Sequence, residues 1–391
     1  MSLQPSFGEA IDAAVDREAP ALSELALRIH AHPELRFEEH KAAAWICEYL
    51  RARGHHVDVG LGGMATSFVC RAGKSGGARV AILAEYDALP EIGHACGHNL
   101  IAAGAVGAFS AAAEIAAESG GEVILIGTPA EEGGGGKIKL LEAGVFDGLD
   151  AAMMFHPFDR DLLAHPALAN VWLTFNFKGT PSHAAASPHD GQSALTACMD
   201  TFRLIDGQRV HFRDGVRVHG YIHDGGQAVN IIPEHAGCEL SVRARTGDEL
   251  ERVRGIVERC ARAAAMASNV QVEVSTRMGY RDMVNNMTLA RRFGTHLADL
   301  GRVPREGDTR VGSGSTDMGD ISHAIPSIHP YLAVVNEGET LIHNRAFTAA
   351  AASARGIETA LVASKAMGKT AIEVLCDPAL REEIRSEWSA R

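Results

Sequence analysis

Residues 79–99 read RVAILAEYDALPEIGHACGHN, and this segment indicates the fold class most clearly. It begins with a short apolar run, Arg79–Ala84, which is typical of a fully buried strand. Two acids, Glu85 and Asp87, follow at once, and a helical apolar segment at 99–118 comes next and ends at a Gly-Gly pair. A buried strand that leads through polar residues into a helix is the repeating unit of a parallel α/β sheet.

The same pattern recurs on both sides of this stretch. Helical apolar spacing covers 10–30 and 38–53, and apolar runs at 122–127 and 151–155 indicate two more buried strands. The alternation predicts a parallel sheet with helices on its faces. The remaining elements predicted for this domain are a helix that begins near Thr288, a strand at 331–335 and a last long helix at 348–369.

The character of the sequence changes near Val171. Residues 171–178 alternate as VWLTFNFK, which is typical of a half-exposed strand. The predicted elements then continue in a βαββαβ order, which indicates an α+β insertion with an antiparallel sheet. We therefore predict a catalytic α/β domain formed by 1–170 and 285–391, with a smaller α+β domain inserted at 171–284.

The composition excludes several classes of protein. Of 391 residues, 46% are hydrophobic and 22% are charged, which excludes a disordered chain. A formal net charge of −12 without a basic run argues against nucleic acid as a partner. Seven irregularly spaced cysteines fit a reducing compartment better than a disulfide framework.

The sequence also argues against a membrane protein. The first 25 residues contain five acids and no apolar core of a signal peptide. The longest apolar stretch, 100–113, is about five residues too short for a membrane span and indicates a buried helix. We expect a cytoplasmic protein that does not bind a membrane.

Candidate ligand residues follow the predicted strands of the first domain. In an open parallel sheet, ligands bind outside the carboxyl ends of the strands, where the loops converge. Three strands feeding Cys, His and carboxylate groups to one edge predict a metal site. The residues are Asp87, Cys96 and His98 after the first strand, Glu131 and Glu132 after the second, and His156 after the third.

The Cys96-Gly97-His98 segment is the most specific of these. A thiolate there is stabilised by a helix N-terminus and by a cation, so metal ligation is chemically reasonable. An isolated Cys-x-His is more often a buried cysteine beside a loop histidine. The ligand-type residues at the other strand ends favour the metal site.

Glu131 and Glu132 are adjacent, and side chains alternate along an extended segment. We therefore expect one carboxylate to bind metal and its neighbour to face the substrate as a general base. The alternative is a solvated acidic turn. The GGGGK run that follows is not a phosphate-binding loop, because Glu131 replaces its first glycine and Ile138 its Ser/Thr.

The other candidates are weak when taken singly. His156 and His343 are each more often ordinary loop histidines, and His183 and Asn230 lie in segments typical of a turn and a hairpin. The loop 312–317 is rich in glycine and serine, and its amides could hold a carboxylate. H-E-x-x-H does not occur, which excludes a zincin helix.

Taken together, these residues resemble metallopeptidase family twenty, the di-metal amidohydrolases of the aminoacylase and hippurate hydrolase type. The Cys-Gly-His version is similar to the branch with hippurate, indole-acetyl-amino-acid and aminobenzoyl-glutamate hydrolases. Asn99, and Ser315 to Gly319, look like the aminobenzoyl-glutamate hydrolase and dipeptidase-like subgroup. The motifs that carry the resemblance are YDALP at 86–90, HACGHN at 94–99, Glu131-Glu132, His156, GTPSHA at 179–184, NIIP at 230–233 and His343.

The resemblance implies a two-metal site with an assigned role for each ligand. Cys96 would bridge two divalent ions, with His98 and His156 completing one ion and Glu132 and His343 the other. Zinc and manganese suit such ligands, and cobalt is a further fit. Glu131 would be the general base, and Asp87 would support the site from behind.

The resemblance also assigns roles in the inserted domain. His183 would stabilise the oxyanion, in a homodimer by reaching the partner's active site. Asn230 and Arg243 would contact the substrate carboxylate or carbonyl, and we add Ser315 and Thr316 as substrate-binding candidates. The inserted domain would act as a lid and dimerisation domain, with a higher oligomer as an alternative.

The implied function is metal-dependent hydrolysis of the amide bond of a small N-acyl or N-aroyl amino acid or of a dipeptide. Two alternatives remain open. One is an enzyme of the same fold that hydrolyses another C–N bond, such as that of an aryl amine. The other is a metal-binding homologue without catalytic activity.

Overall fold

The computed structural model describes residues 3–308 and 314–391. The strands are β1 (Val57–Val59), β2 (Phe68–Gly73), β3 (Arg79–Ala84), β4 (Glu122–Gly127), β5 (Ala151–Met153), β6 (His156–Phe158), β7 (Ala169–Lys178), β8 (Arg217–Asp224), β9 (His235–Ala244), β10 (Gln271–Met278), β11 (Ser327–Ile328) and β12 (Tyr331–Ala333). The helices are α1 (Pro5–Ala31), α2 (His40–Ala52), α3 (His98–Ser119), α4 (Gly136–Glu142), α5 (Ala194–Gln208), α6 (Gly247–Ala267), α7 (Met287–Asp299), α8 (Met318–Ala324), α9 (Arg345–Ala350), α10 (Ala354–Cys376) and α11 (Pro378–Ser389).

The chain forms two compact units. The first contains the described residues of 1–166, 284–313 and 320–391, and the second contains 167–283 and 314–319. The main segment of the second unit thus begins four residues before the predicted insertion and ends one residue before the predicted end. The second unit also includes 314–319, which we had predicted to belong to the catalytic domain. The role of lid and dimerisation domain stays a prediction.

The six-stranded sheet of the first unit has the order β1-β2-β4-β3-β5-β11. Strand β3 is parallel to β4 and β5, and β5 is parallel to β11, which confirms the predicted parallel arrangement at the centre. The edge formed by β1 and β2 differs from the predicted parallel sheet, because β2 is antiparallel to β4 and β1 is antiparallel to β2. The sheet is therefore mixed, and strand β2 was not predicted from the sequence.

The predicted strand at 151–155 ends two residues early in the structure, and a second short strand in another sheet follows it. Strand β5 ends at Met153, and β6 begins at His156 and pairs in parallel with β12. The change of partner occurs where the backbone N–H of His156 donates to the carbonyl of Pro330 at 2.8 Å. His156 thus lies within a strand and not in the loop after one.

Helix α3 forms the centre of the first unit, and α1 and α10 pack against it. It lies close to α10, as the hydrogen bond from the Ser364 hydroxyl to the carbonyl of Gly104 at 2.9 Å shows. Among the described helices, α3 alone is long and apolar enough to cross a membrane, yet 78% of its most apolar window is buried in the protein. The prediction of a buried helix is confirmed, although the helix is longer than the apolar stretch suggested.

The predicted helix at 348–369 is two helices, α9 and α10. Ser353 separates them, because its hydroxyl accepts the backbone N–H of Gly356 at 3.0 Å and so begins a new helix. Its extended backbone is incompatible with a continuous helix.

The second unit confirms the predicted βαββαβ order. Its four strands form an antiparallel sheet in the order β10-β7-β9-β8, and α5 and α6 pack together against β7 and β9. The inward residues of β7, from Val171 to Phe177, alternate with more exposed ones as the sequence predicted. Strand β8 is an edge strand, and of its eight residues only Val218 is buried.

Candidate metal centre

The Cys96-Gly97-His98 turn directs two candidate ligands to one place. Gly97 has a positive φ of 76°, and a Cβ atom there would lie 2.8 Å from Cγ of Pro157. Only glycine therefore lets the turn approach the strand that carries His156. His98 is the first residue of α3, and its ring is fully buried.

Asp87 orients His98 from behind. Oδ1 of Asp87 lies 2.9 Å from Nδ1 of His98, and its Oδ2 accepts the backbone N–H of Glu132 at 2.9 Å. A carboxylate on one ring nitrogen is the usual way in which a ligating histidine is oriented. The other nitrogen, Nε2, is buried and has no hydrogen-bond partner among the described residues. Apart from Oε2 of Glu85, 3.3 Å away, this nitrogen is unpaired among the described residues, which fits a metal ligand.

Cys96 lies between two histidines. Its distance from each of them would let the thiolate and that histidine bind the same ion. Its Sγ is 3.5 Å from Nε2 of His156 and 3.4 Å from Nε2 of His343. Zinc bonds of about 2.3 Å to sulfur and 2.0–2.1 Å to nitrogen place tetrahedral ligands about 3.6 Å apart. Nδ1 of His156 lies 2.7 Å from the carbonyl oxygen of Pro157, so its Nε2 is the nitrogen that faces the cysteine.

The Glu131-Glu132 segment is a turn and not an extended strand. Ala130 has a positive φ of 62°, and 131–134 form consecutive turn residues. Both carboxylates therefore approach His98, and the expected divergence of the two side chains was wrong. Oε1 of Glu132 lies 3.3 Å from Nε2 of His343, which joins this carboxylate to the last of the predicted ligands.

These side chains form three overlapping groups in which all ligand atoms lie within 4.8 Å of one another. The residues present thus fit a divalent metal centre, and the shared members fit two neighbouring ions. The groups are Cys96, His98 and His156; Cys96, Glu132 and His343; and His98, Glu131 and Glu132.

Burial shifts the pKa values of two of these ligands, His156 and Cys96. Burial lowers the pKa of His156 to about 4, which leaves the ring neutral and able to ligate. Burial raises the pKa of the Cys96 thiol well above its usual value, and the carboxylate of Glu132 adds to this effect. Metal coordination reverses such a rise, because the thiolate is the ligand form.

The structure adds two residues that the sequence analysis did not assign. Oε2 of Glu85 lies 3.3 Å from Nε2 of His98, and the ammonium of Lys137 forms a fully buried ion pair with the same Glu85. Glu85 and Asp87 are two residues apart after β3, which places both on the same side of an extended chain. That spacing was the available signal for Glu85. For Lys137, the preceding glycine run suggested only a phosphate-binding loop, and its pairing with the remote Glu85 could not be predicted.

The five remaining candidates lie in the second unit. His183 is exposed, and its Nδ1 accepts the backbone N–H groups of Ala185 and Ala186 at 3.2 Å each. Asn230 is exposed, and its carbonyl accepts the N–H of Ala184 at 3.0 Å.

Arg243 is half-buried in β9, and the hydroxyl of Thr316 accepts the N–H of Met318 at 3.2 Å. The hydroxyl of Ser315 is buried without a hydrogen-bond partner among the described residues. Gly312 and Ser313, the first residues of the predicted carboxylate-binding loop, lie outside the described residues.

Comparisons with known proteins identify the family of this chain. The sequence model of peptidase family M20/M25/M40 matches residues 81–362. The Xaa-Arg dipeptidase of Mus musculus is 35% identical over 96% of this chain and 91% of its own length. A p-aminobenzoyl-glutamate hydrolase polypeptide of Escherichia coli K12 is 31% identical over 74% of this chain and 65% of its own.

A solved structure shows the same fold. It is a dinuclear metal-binding peptidase of the M20 family from Bacillus subtilis, with a TM-score of 0.72 and 23% identity over 92% of this chain and 99% of its own. The resemblance inferred from the motifs is therefore confirmed. This chain belongs to peptidase family M20/M25/M40, and it is a metal-dependent hydrolase that acts on C–N bonds.

Proposed function

We propose that this chain hydrolyses the amide bond of a small N-acyl amino acid or dipeptide at a two-metal site. The observation that carries the proposal is that Cys96 is shared by two groups of ligand atoms, with the carboxylate of Glu131 beside His98. Such a site brings a nucleophile, an electrophile and a proton carrier to one amide bond.

The proposed ligands are His98 and His156 for one ion and Glu132 and His343 for the other, with Cys96 between them. When bound, divalent ions lower the pKa of water and polarise a carbonyl oxygen. Zinc or manganese suits this ligand set, and cobalt fits it as well.

Glu131 is proposed to accept the proton of the attacking water and to return it to the leaving amine. Its side chain is buried with the ligands, and so a carboxylate is held where water and substrate meet. Asp87 supports this arrangement, because it binds both the ring of His98 and the backbone of Glu132.

His183 is proposed to stabilise the oxyanion. Because its Nδ1 accepts two backbone N–H groups, the proton of the neutral ring resides on Nε2. The exposed Nε2–H is then a donor available to a substrate oxygen. Asn230, Arg243, Ser315 and Thr316 remain proposed substrate contacts.

For the substrate, we favour a dipeptide over an aminobenzoyl-glutamate. The dipeptidase relative is similar over almost the whole of both chains, whereas the aminobenzoyl-glutamate hydrolase relative is similar over a smaller part. The test is a panel assayed for released amine with zinc- or manganese-loaded enzyme: dipeptides ending in arginine or lysine, p-aminobenzoyl-glutamate, N-acetyl amino acids and an aryl amine.

The proposal is supported if the dipeptides are hydrolysed with the highest kcat/KM of the panel. The activity should also be lost when a chelator removes the metal and return when metal is added back. Preference for p-aminobenzoyl-glutamate or an N-acetyl amino acid shifts the substrate class within the same chemistry. Ammonia release from the aryl amine alone supports the other C–N hydrolase. No turnover of any substrate by metal-loaded protein supports the binding homologue.

We further propose a cytoplasmic homodimer formed through the second unit. All seven cysteines are free, and six of them are buried, which suits a reducing compartment. Strand β8 is a long edge strand with Tyr221 60% exposed and Ile222 39% exposed. Such an edge is a template for pairing with a second copy of the same strand.

The double variant Tyr221→Lys/Ile222→Lys is expected to convert the dimer to a monomer, because two charges on the edge oppose pairing. Light scattering after size exclusion measures this change, from twice the 41.5 kDa chain mass to that mass. Val210→Lys is the matched control, since Val210 is 80% exposed in the same unit but lies outside β8. A dimer that persists in the double variant contradicts the assignment of β8.

A further inference from the structure

The segment 33–39, between α1 and α2, fastens two loops of the metal centre, and we call it the strap. The N–H of Ala88 donates to the carbonyl of Glu34 at 2.8 Å, next to the Asp87 that orients His98. The guanidinium of Arg36 donates to the carbonyl of Glu132 at 3.1 Å. The strap thus binds the backbone on both sides of the site.

Glu39, at the end of the strap, makes the most buried of these contacts. Its side chain is fully buried, and its Oε1 accepts the N–H of Ala130 at 2.9 Å and that of Phe37 at 2.7 Å. Its Oε2 accepts the hydroxyl of Thr66 at 2.8 Å. One carboxylate therefore joins the strap, the loop that carries Glu131 and a third segment.

The two backbone amides held by Glu39 belong to residues in a disfavoured conformation. Phe37 has a φ of 66° and Ala130 a φ of 62°, in the left-handed region that residues with a Cβ rarely adopt. Such conformations persist only where neighbouring contacts hold them. Glu39 supplies one such contact to each of the two residues.

Ala130 directly precedes Glu131, so its backbone conformation sets the direction in which the Glu131 side chain leaves the chain. We propose that Glu39 is a positioning residue, which holds Ala130 in the left-handed conformation and thereby aims the carboxylate of Glu131 at the reacting water. This inference rests on the proposed role of Glu131 as general base. It gives the strap the function of positioning the Glu131 carboxylate, which none of the proposed metal ligands provides.

The conservative variant is Gln, because its amide oxygen can accept the same two N–H groups. Burial raises the pKa of Glu39 to about 7, so an uncharged side chain suits this place. Ala removes both acceptors. Glu34 offers a matched control in the same strap, since its carboxylate accepts the N–H groups of Lys41 and Ala42 at the start of α2 and, among the described residues, makes no hydrogen bond to the loop that carries Glu131.

The experiment compares kcat, KM, metal content and melting temperature of the metal-loaded protein. Glu39→Ala is expected to lower kcat by about 100-fold, the size of effect that a misplacement of about 1 Å causes. KM and the metal content are expected to stay near those of the unchanged protein. Glu39→Gln is expected to recover most of the kcat, and Glu34→Ala to lower the melting temperature without lowering kcat.

The variant Ala130→Gly serves as a second parent protein, in case Glu39→Ala alone does not fold. In Ala130→Gly the left-handed conformation costs nothing, so Glu39→Ala in that background is expected to fold. Its kcat is still expected to fall relative to Ala130→Gly alone, because glycine leaves Glu131 free to turn.

The inference is overturned if Glu39→Ala keeps its kcat, if Glu39→Gln is as impaired as Ala, or if Ala130→Gly hides the effect completely. It is equally overturned if the loss of kcat is explained by loss of metal. Glu131→Gln, assayed in parallel, separates the two proposals: if that variant is active, the proposed base is wrong, and if it is inactive while Glu39→Ala is unimpaired, only the role of Glu39 is wrong.

Discussion

Glu131→Gln is expected to lower kcat by about a thousandfold while the protein keeps both metal ions, because a general base contributes about 10²–10⁴ to the rate. Gln has nearly the same shape as Glu but cannot accept the proton of water at neutral pH. The five proposed ligands are unchanged in this variant, so metal binding is retained. Steady-state kinetics with the best substrate of the panel, together with metal analysis of the same sample, measure both parts of the prediction.

The neighbouring carboxylate provides the control. Glu132 lies 3.3 Å from His343, so Glu132→Gln is expected to lose metal as well as activity. The two variants change adjacent residues in the same way and differ in the role that each residue is given. A Glu131→Gln enzyme with most of its activity, or with no metal, would show that the role of base was given to the wrong group.

Cys96→Ala is expected to abolish activity by removing the sulfur that both metal positions share. Its Sγ lies within 3.5 Å of two histidines on different elements, and among the described residues no other side chain belongs to both groups of ligands around those histidines. Mass spectrometry of metal in the dialysed protein is expected to show fewer than one ion per chain. Outer contacts of a site cost about 10–100-fold in affinity when they are lost, and a shared ligand costs more.

Cys47→Ala is the matched control, because Cys47 is also buried in the first unit but belongs to no group of candidate ligands among the described residues. Cys96→Asp adds a second comparison, since an aspartate oxygen can ligate in the same place and suits manganese better than a thiolate does. The assignment of Cys96 fails if Cys96→Ala retains two tightly bound ions, or if Cys47→Ala loses them to the same extent.

The sequence predicted those parts of the fold that local periodicity controls. Strands β3 and β4 were predicted with their observed bounds, because continuous apolar runs flanked by polar residues leave little choice. Strand β2 was missed, because its second half carries an exposed arginine and a glycine and its pairing with β4 is a long-range choice. The start of a new strand at His156, in another sheet, likewise depends on Pro330, which lies far along the chain.

The candidate site divides in the same way. Cys96 and His156 could be selected because they follow the apolar runs of β3 and β5, and topology brings strand ends together. The positive φ of Ala130 could not be read from its residue type, and so the geometry of the two glutamates was predicted wrongly. Glu39 gave no signal, because a Glu after a Glu before a helix is ordinary, and its burial depends on segments that are remote in sequence.

The discontinuity of the first unit has a consequence for synthesis on the ribosome. Helix α3 is covered by α10, and β5 is paired with β11, so the partners of early elements are translated only after the main segment of the second unit. The second unit takes its whole sheet and both of its helices from one uninterrupted segment and can fold first. Until Ala354–Cys376 emerges, the nascent chain carries a long apolar helix without the part of its cover that α10 supplies, and exposed apolar surface of this kind is what chaperones bind.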